Sequence, residues 1–224
     1  MTTANLLLIP IAYAIGSLSG AITLGKVIYG MDIRDYGSKN PGANNVQRIF
    51  GWPLALFVFT FDILKGVAAV SLVKTTNIEP DTNLYVAAQI ILGLASVAGH
   101  IFPVFFRFKG GKGVATLTGV LWAIHPGAVF ICFSIFLVSF AITRYISLSA
   151  ILGITGFPFF INLLFGEIAQ DKMTMTLRIF SIVVAIIIWL THLSNIKRIF
   201  NGTEEKFKLK KTVPVRKHLP QNYR

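Results

Sequence analysis

Residues 52–74 read WPLALFVFTFDILKGVAAVSLVK, and this run decides which class of fold the chain can adopt. It is apolar over about 20 residues, the length that a helix needs to cross the hydrocarbon core of a bilayer. Asp62 and Lys65 lie inside it, three residues apart and on one helical face. They form either a structural ion pair that faces other helices or a functional pair, since ionisable groups in membrane helices are often functional. The run therefore predicts a membrane helix that carries one charged pair.

Apolar segments of this kind recur along the whole chain. Hydrophobic residues make up 54% of the sequence and charged residues 13%, which indicates a polytopic membrane protein rather than a soluble domain. The fourth apolar segment is short, and a His-Pro-Gly break at residues 125–127 predicts that it forms a tight hairpin or a partly re-entrant pair with the fifth. We predict an all-α membrane bundle of about seven transmembrane segments, near residues 4–27, 52–74, 84–106, 113–125, 126–143, 147–166 and 176–199.

The distribution of charge predicts the orientation of the chain, whose formal net charge is +12. Basic residues lie in loops 28–51 and 107–112, at Arg144 and after Lys197, and acidic ones in loops 75–83 and 167–175. Basic residues gather on the cytoplasmic side of membrane proteins, so the excess does not indicate nucleic-acid binding. We expect the N-terminus outside and the C-terminus inside, with one transmembrane domain over residues 1–200 and a basic cytoplasmic tail over 201–224. A cleaved signal peptide is not expected, because no cation precedes the first apolar run.

The loop Gly37–Asn45 reads GSKNPGANN and is followed by Arg48. Its Gly, Asn and Pro residues impose a tight, non-helical backbone, and the Ser38 hydroxyl and the asparagine amides are donors that suit an oxyanion. An ordinary turn would need the glycines and the proline, but it would not need a serine, three asparagines and an arginine together. The loop therefore predicts a ligand site on the cytoplasmic face.

A second cluster runs from His100 to Gly113 and ends in the basic, glycine-rich run RFKGGKG. Glycine lets the backbone approach a ligand closely, and the lysines supply positive charge for phosphate oxygens. A helix that starts near Gly113 would add its N–H groups and its dipole to the same site. A positive-inside anchor would account for the lysines but not for the paired glycines. His100 is either a packed histidine bonded to a backbone carbonyl or a residue with a direct chemical role.

The third cluster lies at the end of the last predicted helix and reads HLSNIKR from His192 to Arg198, followed by GTE at residues 202–204. Helical spacing places His192, Asn195 and Arg198 on one stripe. Interaction with the helix C-terminus would explain Arg198, but it would not explain a histidine and an asparagine on the same face. A fourth cluster, RYISLS at residues 144–149, could simply end a helix.

The sequence argues against several other kinds of chemistry. Residues 20–26 nearly match a P-loop, but Val27 replaces the required Ser or Thr and the run lies in a membrane helix. Four separated histidines and the lone Cys132 make a poor metal site, and a single cysteine cannot form an internal disulfide. No Gly-x-Ser-x-Gly elbow and no His-x4-Asp pattern is present. We therefore expect neither a metal nor a cofactor.

Together the four clusters predict an anionic ligand with more than one phosphate group, beside helices that can hold an acyl chain. An enzyme that joins a soluble phosphate to a lipid chain fits this inventory. The main alternative is a transporter of anions or organic phosphates, for which Asp62 and Lys65 are the best support. Transporter sites, however, lie near the midplane and often between repeats, and no internal repeat is evident here. A non-catalytic binder of anionic lipid, built on the basic tail from Lys206 to Arg224, is the third reading.

Three of the clusters resemble the motifs of the bacterial integral-membrane glycerol-3-phosphate acyltransferases that use acyl phosphate. The matching residues are Gly37–Asn45 with Arg48, then Gly99–Gly113, then His192–Glu204, in the family's order over almost the whole chain. The chain departs from the pattern at Lys39 and Asn44, where Gly and Thr are common, and at Leu193, where Arg is usual.

The resemblance implies transfer of an acyl group from acyl phosphate to the 1-hydroxyl of sn-glycerol 3-phosphate. The products would be lysophosphatidic acid and inorganic phosphate, in the first step of bacterial phospholipid synthesis. Acyl phosphate carries a good leaving group, so no covalent acyl-enzyme is expected. The resemblance also implies a multi-pass protein of the bacterial cytoplasmic (inner) membrane, with its active site on the cytoplasmic side and a functional link to the enzyme that makes acyl phosphate.

The residue types and the resemblance together assign the site residues. The expected catalytic residues are Ser38, Arg48, Lys112 and His192, and the expected substrate-binding residues are Gly37, Asn40, Gly42, Asn45, His100, Lys109, Gly110, Gly111, Gly113, Ser147, Asn195, Arg198 and Glu204. Arg48 and Lys112 are expected to bind glycerol 3-phosphate. His192 is expected to orient the attacking hydroxyl or to act as general base, a role that a substrate phosphate oxygen could take instead.

Overall fold

The computed structural model describes residues 3–80, 82–168, 175–204 and 206–207. Part of the acidic loop 167–175 and most of the predicted tail 201–224 therefore lie outside the described residues. The α-helices are α1 Thr3–Leu6, α2 Leu8–Ser17, α3 Gly20–Tyr29, α4 Ala43–Phe50, α5 Trp52–Ser71, α6 Asn83–Ile101, α7 Val114–Ile124, α8 Pro126–Thr143, α9 Ile146–Phe159, α10 Met175–Thr191 and α11 Leu193–Phe200. Short 3-10 turns span Ile33–Asp35, Leu72–Thr75 and Val104–Phe106, and a π-helical segment spans Phe160–Ile168. The described residues contain no strand, so the all-α prediction is confirmed.

Four continuous helical segments are long and apolar enough to cross a membrane: Trp52–Thr75, Asn83–Phe106, Pro126–Thr143 and Ile146–Phe165. Two bent pairs, α2 with α3 and α10 with α11, raise the number to six among the described residues if each pair is one span. The remaining apolar helix, α7, is only 11 residues long, as the sequence indicated. The count of seven spans and the orientation across the membrane stay predictions.

The two bent pairs differ from the continuous helices predicted over 4–27 and 176–199. The first bends by 45° at Leu18 and Ser19, where the Ser19 hydroxyl accepts a hydrogen bond from the Ile22 N–H and caps α3. The second bends by 54° at His192, whose ring bonds back to the Ile188 carbonyl. At the first break a side chain takes the place of a backbone partner, and at the second the His192 ring adds a contact to the Ile188 carbonyl, which also accepts the His192 backbone N–H.

The break that the His-Pro-Gly run predicted is confirmed. α7 ends at Ile124 and α8 begins at Pro126, with His125 between them. The His125 Nδ1 accepts a hydrogen bond from the Ala128 N–H at 3.0 Å and so serves as the N-cap of α8. Proline suits the first helical position because its missing N–H would have no intrahelical partner there.

The chain forms two compact units. The first comprises the described parts of residues 1–76 and 91–120, and the second those of 77–90 and 121–208. In the first, α5 packs against α2, α3 and α4, and in the second, α9 packs against α8, α10 and α11. The core of the first unit joins α3, α4 and α5 to the loop before α4, through Ala21, Ile22, Leu24, Met31, Ile33, Val46, Ile49, Phe50, Ala55 and Val58. The prediction of a single domain over residues 1–200 stays a prediction.

Within the first unit, α2 lies very close to the C-terminal half of α6. A Cβ placed on Gly16 would be 2.0 Å from the Ser96 carbonyl oxygen, and one on Gly99 would be 2.2 Å from the Tyr13 carbonyl oxygen. Larger side chains at either position would push the two backbones apart, which is why membrane helices use small residues at such contacts. This contact holds the end of α6, and with it His100, in a defined place.

Candidate functional site

The loop before α4 is organised by the buried side chain of Asn45, which is 1% exposed. Its Oδ1 accepts the Ser38 N–H at 2.8 Å, and its Nδ2 donates to the carbonyls of Ile33 and Tyr36 at 3.2 and 3.0 Å. The amide therefore shapes the loop from inside. Ser38 itself is exposed, and no hydrogen bond engages its hydroxyl among the described residues. The loop thus presents Ser38 outward on a backbone that Asn45 holds.

Two residues of this loop have left-handed backbone geometry. Gly37 has φ +59°, and a Cβ there would lie 2.3 Å from the Asn45 Oδ1. Lys39 has φ 58°, a conformation that a residue with a Cβ adopts only at a cost of about 1–2 kcal/mol. This geometry favours glycine, the residue that the resemblance implies at the position of Lys39.

The glycine-rich loop before α7 turns its first N–H groups inward. The N–H groups of Gly110 and Gly111 donate to the carbonyls of Ile101 and His100 at 3.0 and 3.1 Å, which caps the end of α6. By contrast, no hydrogen bond within the described chain engages the N–H groups of residues 112–116. Lys109 and Lys112 are exposed, and α7 begins at Val114, as predicted. The donors not engaged within the described chain are therefore N–H groups at the start of α7, beside two exposed lysines, while Gly110 and Gly111 give the loop its shape.

An arginine clasp, formed by Asp32 and Arg34, joins the two loops. Arg34 donates from Nε and Nη2 to the Asp32 carboxylate at 2.9 and 2.6 Å. Its Nη1 donates to the carbonyls of Phe106 and Lys109 at 2.9 and 3.0 Å. The hydrogen bonds from Arg34 lower the pKa of Asp32 to about 2, against the opposing effect of burial, and the carboxylate in turn raises the pKa of Arg34. The clasp is therefore charged at any physiological pH.

The sequence patterns did not predict this clasp. The signal that could have found it is the Asp-Ile-Arg run at residues 32–34, shortly before the Gly37–Asn45 loop, which places an acidic and a basic side chain two residues apart. Sequence spacing cannot predict the partners of the Arg34 Nη1, because Phe106 and Lys109 are more than 70 residues away in the chain.

The two loops also touch directly beside His100. A Cβ on Gly111 would lie 2.3 Å from the His100 Nε2 and 3.2 Å from the Pro41 carbonyl oxygen. The opposite nitrogen of the ring, Nδ1, lies 2.8 Å from the Lys65 Nζ. The first two sequence motifs are thus adjacent within the first unit, with His100 packed at their junction.

The third motif lies in the second unit and is gathered around the carboxylate of Glu204. Asn195 Nδ2 and the Ser147 hydroxyl donate to its Oε1 at 2.9 and 2.6 Å, and Arg198 Nε donates to its Oε2 at 2.7 Å. Burial raises the pKa of Glu204, but these three hydrogen bonds and the Arg198 charge outweigh burial and leave the pKa lowered. The fourth sequence cluster therefore joins the third through Ser147, a contact that the sequence did not predict.

His192 precedes α11 in the same unit and is 6% exposed. Its Nδ1 lies 2.8 Å from the Ile188 carbonyl oxygen, which can only accept, so Nδ1 carries a proton. In the neutral ring the lone pair is then on Nε2, the nitrogen that a general base would use. The bend between α10 and α11 thus fixes the tautomer of His192.

The predicted site residues therefore fall into two sets. Those of the first unit lie in its two loops, on α4 and at the end of α6: Gly37, Ser38, Asn40, Gly42, Asn45, Arg48, His100, Lys109, Gly110, Gly111, Lys112 and Gly113. Those of the second unit are Ser147, His192, Asn195, Arg198 and Glu204. Arg48 is exposed on α4. The described residues contain no group of three or more His, Cys, Asp or Glu side chains that could hold a metal ion.

Comparison with known proteins identifies the family. The sequence profile of the family described as Glycerol-3-phosphate acyltransferase matches residues 6–202. The glycerol-3-phosphate acyltransferase of Chlorobium phaeobacteroides is 39% identical over 225 residues, which covers 90% of this chain and 95% of that protein. Glycerol-3-phosphate acyltransferase 2 of Bacillus anthracis is 43% identical over 204 residues, covering 90% and 98%.

Two crystal structures agree with these matches. They are of PlsY (YgiH), an integral membrane glycerol 3-phosphate acyltransferase, in its glycerol 3-phosphate form and its lysophosphatidic acid form. Their TM-scores are 0.74 and 0.75 at 37% and 34% identity, and each comparison covers 92% of this chain and 96% of the other. The resemblance that the motifs suggested is confirmed. This chain belongs to the glycerol-3-phosphate acyltransferase family and is a membrane acyltransferase of phospholipid synthesis.

Proposed function

We propose that this protein transfers an acyl group from acyl phosphate to the 1-hydroxyl of sn-glycerol 3-phosphate. The hydroxyl oxygen attacks the acyl carbonyl carbon, the bond from that carbon to the phosphate oxygen breaks, and inorganic phosphate leaves. The product is 1-acylglycerol 3-phosphate, or lysophosphatidic acid. PlsY, which shares 37% sequence identity with this chain, has been crystallised in glycerol 3-phosphate and lysophosphatidic acid forms, which correspond to the acceptor and the product of this reaction.

The observation that carries the proposal is the junction of the two loops in the first unit. There the exposed Lys109 and Lys112 lie beside the N–H groups of residues 112–116, which have no partner within the described chain. N–H groups at a helix start and nearby cations together favour bound phosphate. The exposed Ser38 hydroxyl belongs to the adjoining loop and supplies a further donor. Two substrates that each carry a phosphate repel each other unless such groups compensate their charge.

The roles of individual residues follow from this chemistry and from the family motifs. Ser38 and the backbone of the Gly37–Gly42 segment bind the phosphate of acyl phosphate, together with the start of α7. Arg48 and Lys112 bind glycerol 3-phosphate, and Lys109 adds positive charge. Asn45, Gly110 and Gly111 act by shaping their loops, because their polar groups are already engaged within the protein.

The second unit holds His192 and the Glu204 network. By the family motifs, His192 orients the attacking hydroxyl or takes its proton, a role that a substrate phosphate oxygen could take instead. Asn195, Arg198 and Ser147 are held on Glu204, and this network keeps the turn after α11 in place for substrate binding. No covalent acyl-enzyme is formed, because the phosphate of the donor is itself a good leaving group.

The cellular setting belongs to the same proposal. The positive-inside rule and the basic residues of loops 28–51 and 107–112 support a substrate site at the inner surface of the bacterial cytoplasmic membrane. Glycerol 3-phosphate is water-soluble and would arrive from the cytoplasm, whereas the acyl chain would arrive within the bilayer. The enzyme that makes acyl phosphate is then a functional partner.

Purified protein in detergent tests the proposal when it receives glycerol 3-phosphate with acyl phosphate, acyl-coenzyme A or acyl-carrier protein in separate reactions. We expect lysophosphatidic acid and stoichiometric inorganic phosphate from acyl phosphate alone. Turnover with a thioester donor and none with acyl phosphate would refute the donor assignment. If no donor gives lysophosphatidic acid, uptake of glycerol 3-phosphate into vesicles would test the transporter reading instead.

His192→Gln tests the assignment of the base. General base catalysis contributes about 10²–10⁴-fold, so we expect kcat to fall within that range and the acidic limb of the pH profile to disappear. Nearly full turnover with an unchanged pH profile would show that a substrate phosphate oxygen takes the proton. Leu193→Ala, at the neighbouring exposed position, is the matched control and should keep both kcat and the pH profile.

A further inference from the structure

The first unit contains a buried charged cluster whose side chains have no role in the mechanism above. It consists of Asp62 and Lys65 on α5, His100 at the end of α6 and Thr116 on α7, which are 2%, 4%, 6% and 0% exposed. Burying two charges within a membrane bundle is expensive, and a buried ion pair adds little stability over apolar side chains of similar volume. The cluster therefore calls for a reason other than stability.

Lys65 is surrounded by three polar atoms. Its Nζ donates to the Leu18 carbonyl oxygen at 2.7 Å, lies 2.8 Å from the His100 Nδ1 and forms an ion pair with the Asp62 Oδ1 at 2.8 Å. The Asp62 Oδ1 accepts no hydrogen bond among the described residues. An ammonium group has three N–H donors and no acceptor, so Lys65 can donate to Leu18 and to His100 at the same time. The Leu18 carbonyl is available because the chain breaks there between α2 and α3. The bend that the sequence did not predict thus completes the environment of Lys65.

The contact with Lys65 determines where His100 carries its proton. A protonated Nδ1 would place two donors 2.8 Å apart, so Nδ1 accepts and the neutral ring holds its proton on Nε2. Asp62 Oδ1 lies 3.5 Å and Thr116 Oγ1 3.2 Å from the same Nδ1. Nε2 faces Gly111 at the junction with Pro41, and no hydrogen bond within the described residues engages it. An N–H donor is thereby aimed at the place where the two phosphate-binding loops meet.

We propose that Asp62 and Lys65 are positioning residues for acyl transfer. They hold His100 in the tautomer with Nε2–H, and this N–H donates to a phosphate oxygen of a substrate bound at the loop junction. The inference rests on the proposed function, since it requires a substrate phosphate at that junction. Glycerol 3-phosphate and acyl phosphate offer the same oxygen chemistry, and the kinetic test below separates the two sources.

Two substitutions of His100 test the donor itself. The amide of His100→Gln reaches the position of Nε2 and can still donate there, whereas His100→Asn reaches only the position of Nδ1. Loss of one hydrogen bond to a charged group corresponds to about a tenfold to hundredfold effect, so kcat/KM should fall by that factor in His100→Asn relative to His100→Gln. The fall should appear as a higher KM for one substrate only, and that substrate is the one whose phosphate occupies the junction. Equal kinetics in the two variants would overturn the proposal.

The positioning role is tested by removing the pair as a unit. Asp62→Asn combined with Lys65→Met leaves no unpaired charge and removes the donor to Nδ1. We expect kcat/KM to fall by at least about tenfold with a KM increase for the same substrate that His100→Asn affects. Ser96→Ala, one turn before His100 and equally buried, is the matched control and should leave KM unchanged. Wild-type kinetics in the double variant would overturn the role of the pair.

Nitrogen NMR of protein labelled with ¹⁵N-histidine measures the tautomer without any substrate, and His100→Gln identifies the signals of His100 by their loss. We expect a protonated Nε2 and an unprotonated Nδ1 in the wild type, and a mixture of tautomers in the double variant. A protonated Nδ1 in the wild type would overturn the inference even if acyl transfer is confirmed. A wild type with the expected tautomer but no acyl transfer would instead overturn the proposed function and, with it, the substrate contact.

Discussion

The arginine clasp predicts a kinetic effect of a residue that touches no substrate. In Arg34→Lys the positive charge remains, but the planar fork is lost, and a single ammonium cannot bond both oxygens of Asp32 while reaching the carbonyls of Phe106 and Lys109. The glycine-rich loop would then lose its tie to the Gly37–Asn45 loop. The proposed phosphate site depends on that tie, because each loop supplies part of it.

The size of the effect follows from the contacts that are lost. Two hydrogen bonds from a guanidinium to backbone carbonyls are removed, at 2.9 and 3.0 Å. Charge-assisted hydrogen bonds contribute about 1.5–3 kcal/mol each when buried, and we take about 1 kcal/mol each here because the Arg34 side chain is 19% exposed. A total of about 2 kcal/mol corresponds to about a thirtyfold lower population of the ordered loop, and we expect kcat/KM for glycerol 3-phosphate to fall by about ten- to thirtyfold.

Steady-state kinetics with varied glycerol 3-phosphate, together with a thermal unfolding curve, measure this effect. Lys26→Met is the matched control, because Lys26 also pairs with Asp32, at 3.5 Å, but is half exposed and does not bond the loop carbonyls. The control should stay within about twofold of the wild type, as expected for an exposed ion pair. Wild-type kcat/KM in Arg34→Lys, or an equal loss in both variants, would refute the reasoning.

The pH dependence of the clasp has a definite sign. The Asp32 pKa is lowered from 3.8 to about 2, so its contribution to stability is complete above 3.8 and is lost only as the pH falls through about 2. The shift corresponds to about 2 kcal/mol, reduced to about 1 kcal/mol by solvent screening at this partly exposed pair. The kinetic defect of Asp32→Asn should therefore be the same at every pH at which the enzyme is assayed.

Three further predictions concern single positions. Glu204→Gln should lower the Tm by about 3 °C at neutral pH, because Ser147, Asn195 and Arg198 lose a charged acceptor. The difference in Tm from the wild type should shrink below pH 4.5, because the pKa of Glu204 is lowered by folding and its contribution to stability is complete only above that pH. Gly110→Ala should prevent stable folding, because the added Cβ would lie 2.0 Å from the His100 carbonyl oxygen. Gly42→Ala should keep the wild-type Tm, because a Cβ there would have no atom within 4 Å. Similar Tm values for the two variants would contradict this prediction. Lys39→Gly should raise the free energy of unfolding by about 0.5–1 kcal/mol in a denaturant titration, since glycine adopts the left-handed φ of 58° without strain. A lower free energy of unfolding would show that the Lys39 side chain makes a compensating contact.

Much of the fold could be predicted from residues 52–74 and the runs like it. The hydrophobic effect and the absence of water in the bilayer leave a long apolar segment few alternatives to a helix, so helix positions follow from local composition. The break at residues 125–127 was predictable for the same reason, because proline acts on its own backbone. The bends at Leu18 and His192 were not, since what stabilises them is a capping serine and a histidine ring bonded to the preceding turn, inside segments that remain apolar.

The sequence predicted which residues form the candidate site, but it did not predict the contacts that they make. The motif residues indicated a ligand that carries phosphate, because the positive-inside rule explains the lysines and arginines but not the glycines, serine and asparagines beside them. Acyl transfer followed from the resemblance to the family. Which of these groups stay available to a ligand depended on tertiary structure. Asn45, Gly110 and Gly111 use their polar groups to hold the loops, whereas residues 112–116 keep their N–H groups unengaged within the described chain.

The sequence by itself therefore determined a helical membrane protein, the family to which it belongs and the four polar clusters. Only the tertiary structure decided the partners of Arg34, the tautomers of His100 and His192, and the environment of the pair formed by Asp62 and Lys65. The physical reason is the range of the interactions. Helix formation and membrane insertion respond to neighbours along the chain, whereas a buried charge is stabilised by acceptors such as the carbonyl of Leu18, 47 residues from Lys65 in sequence.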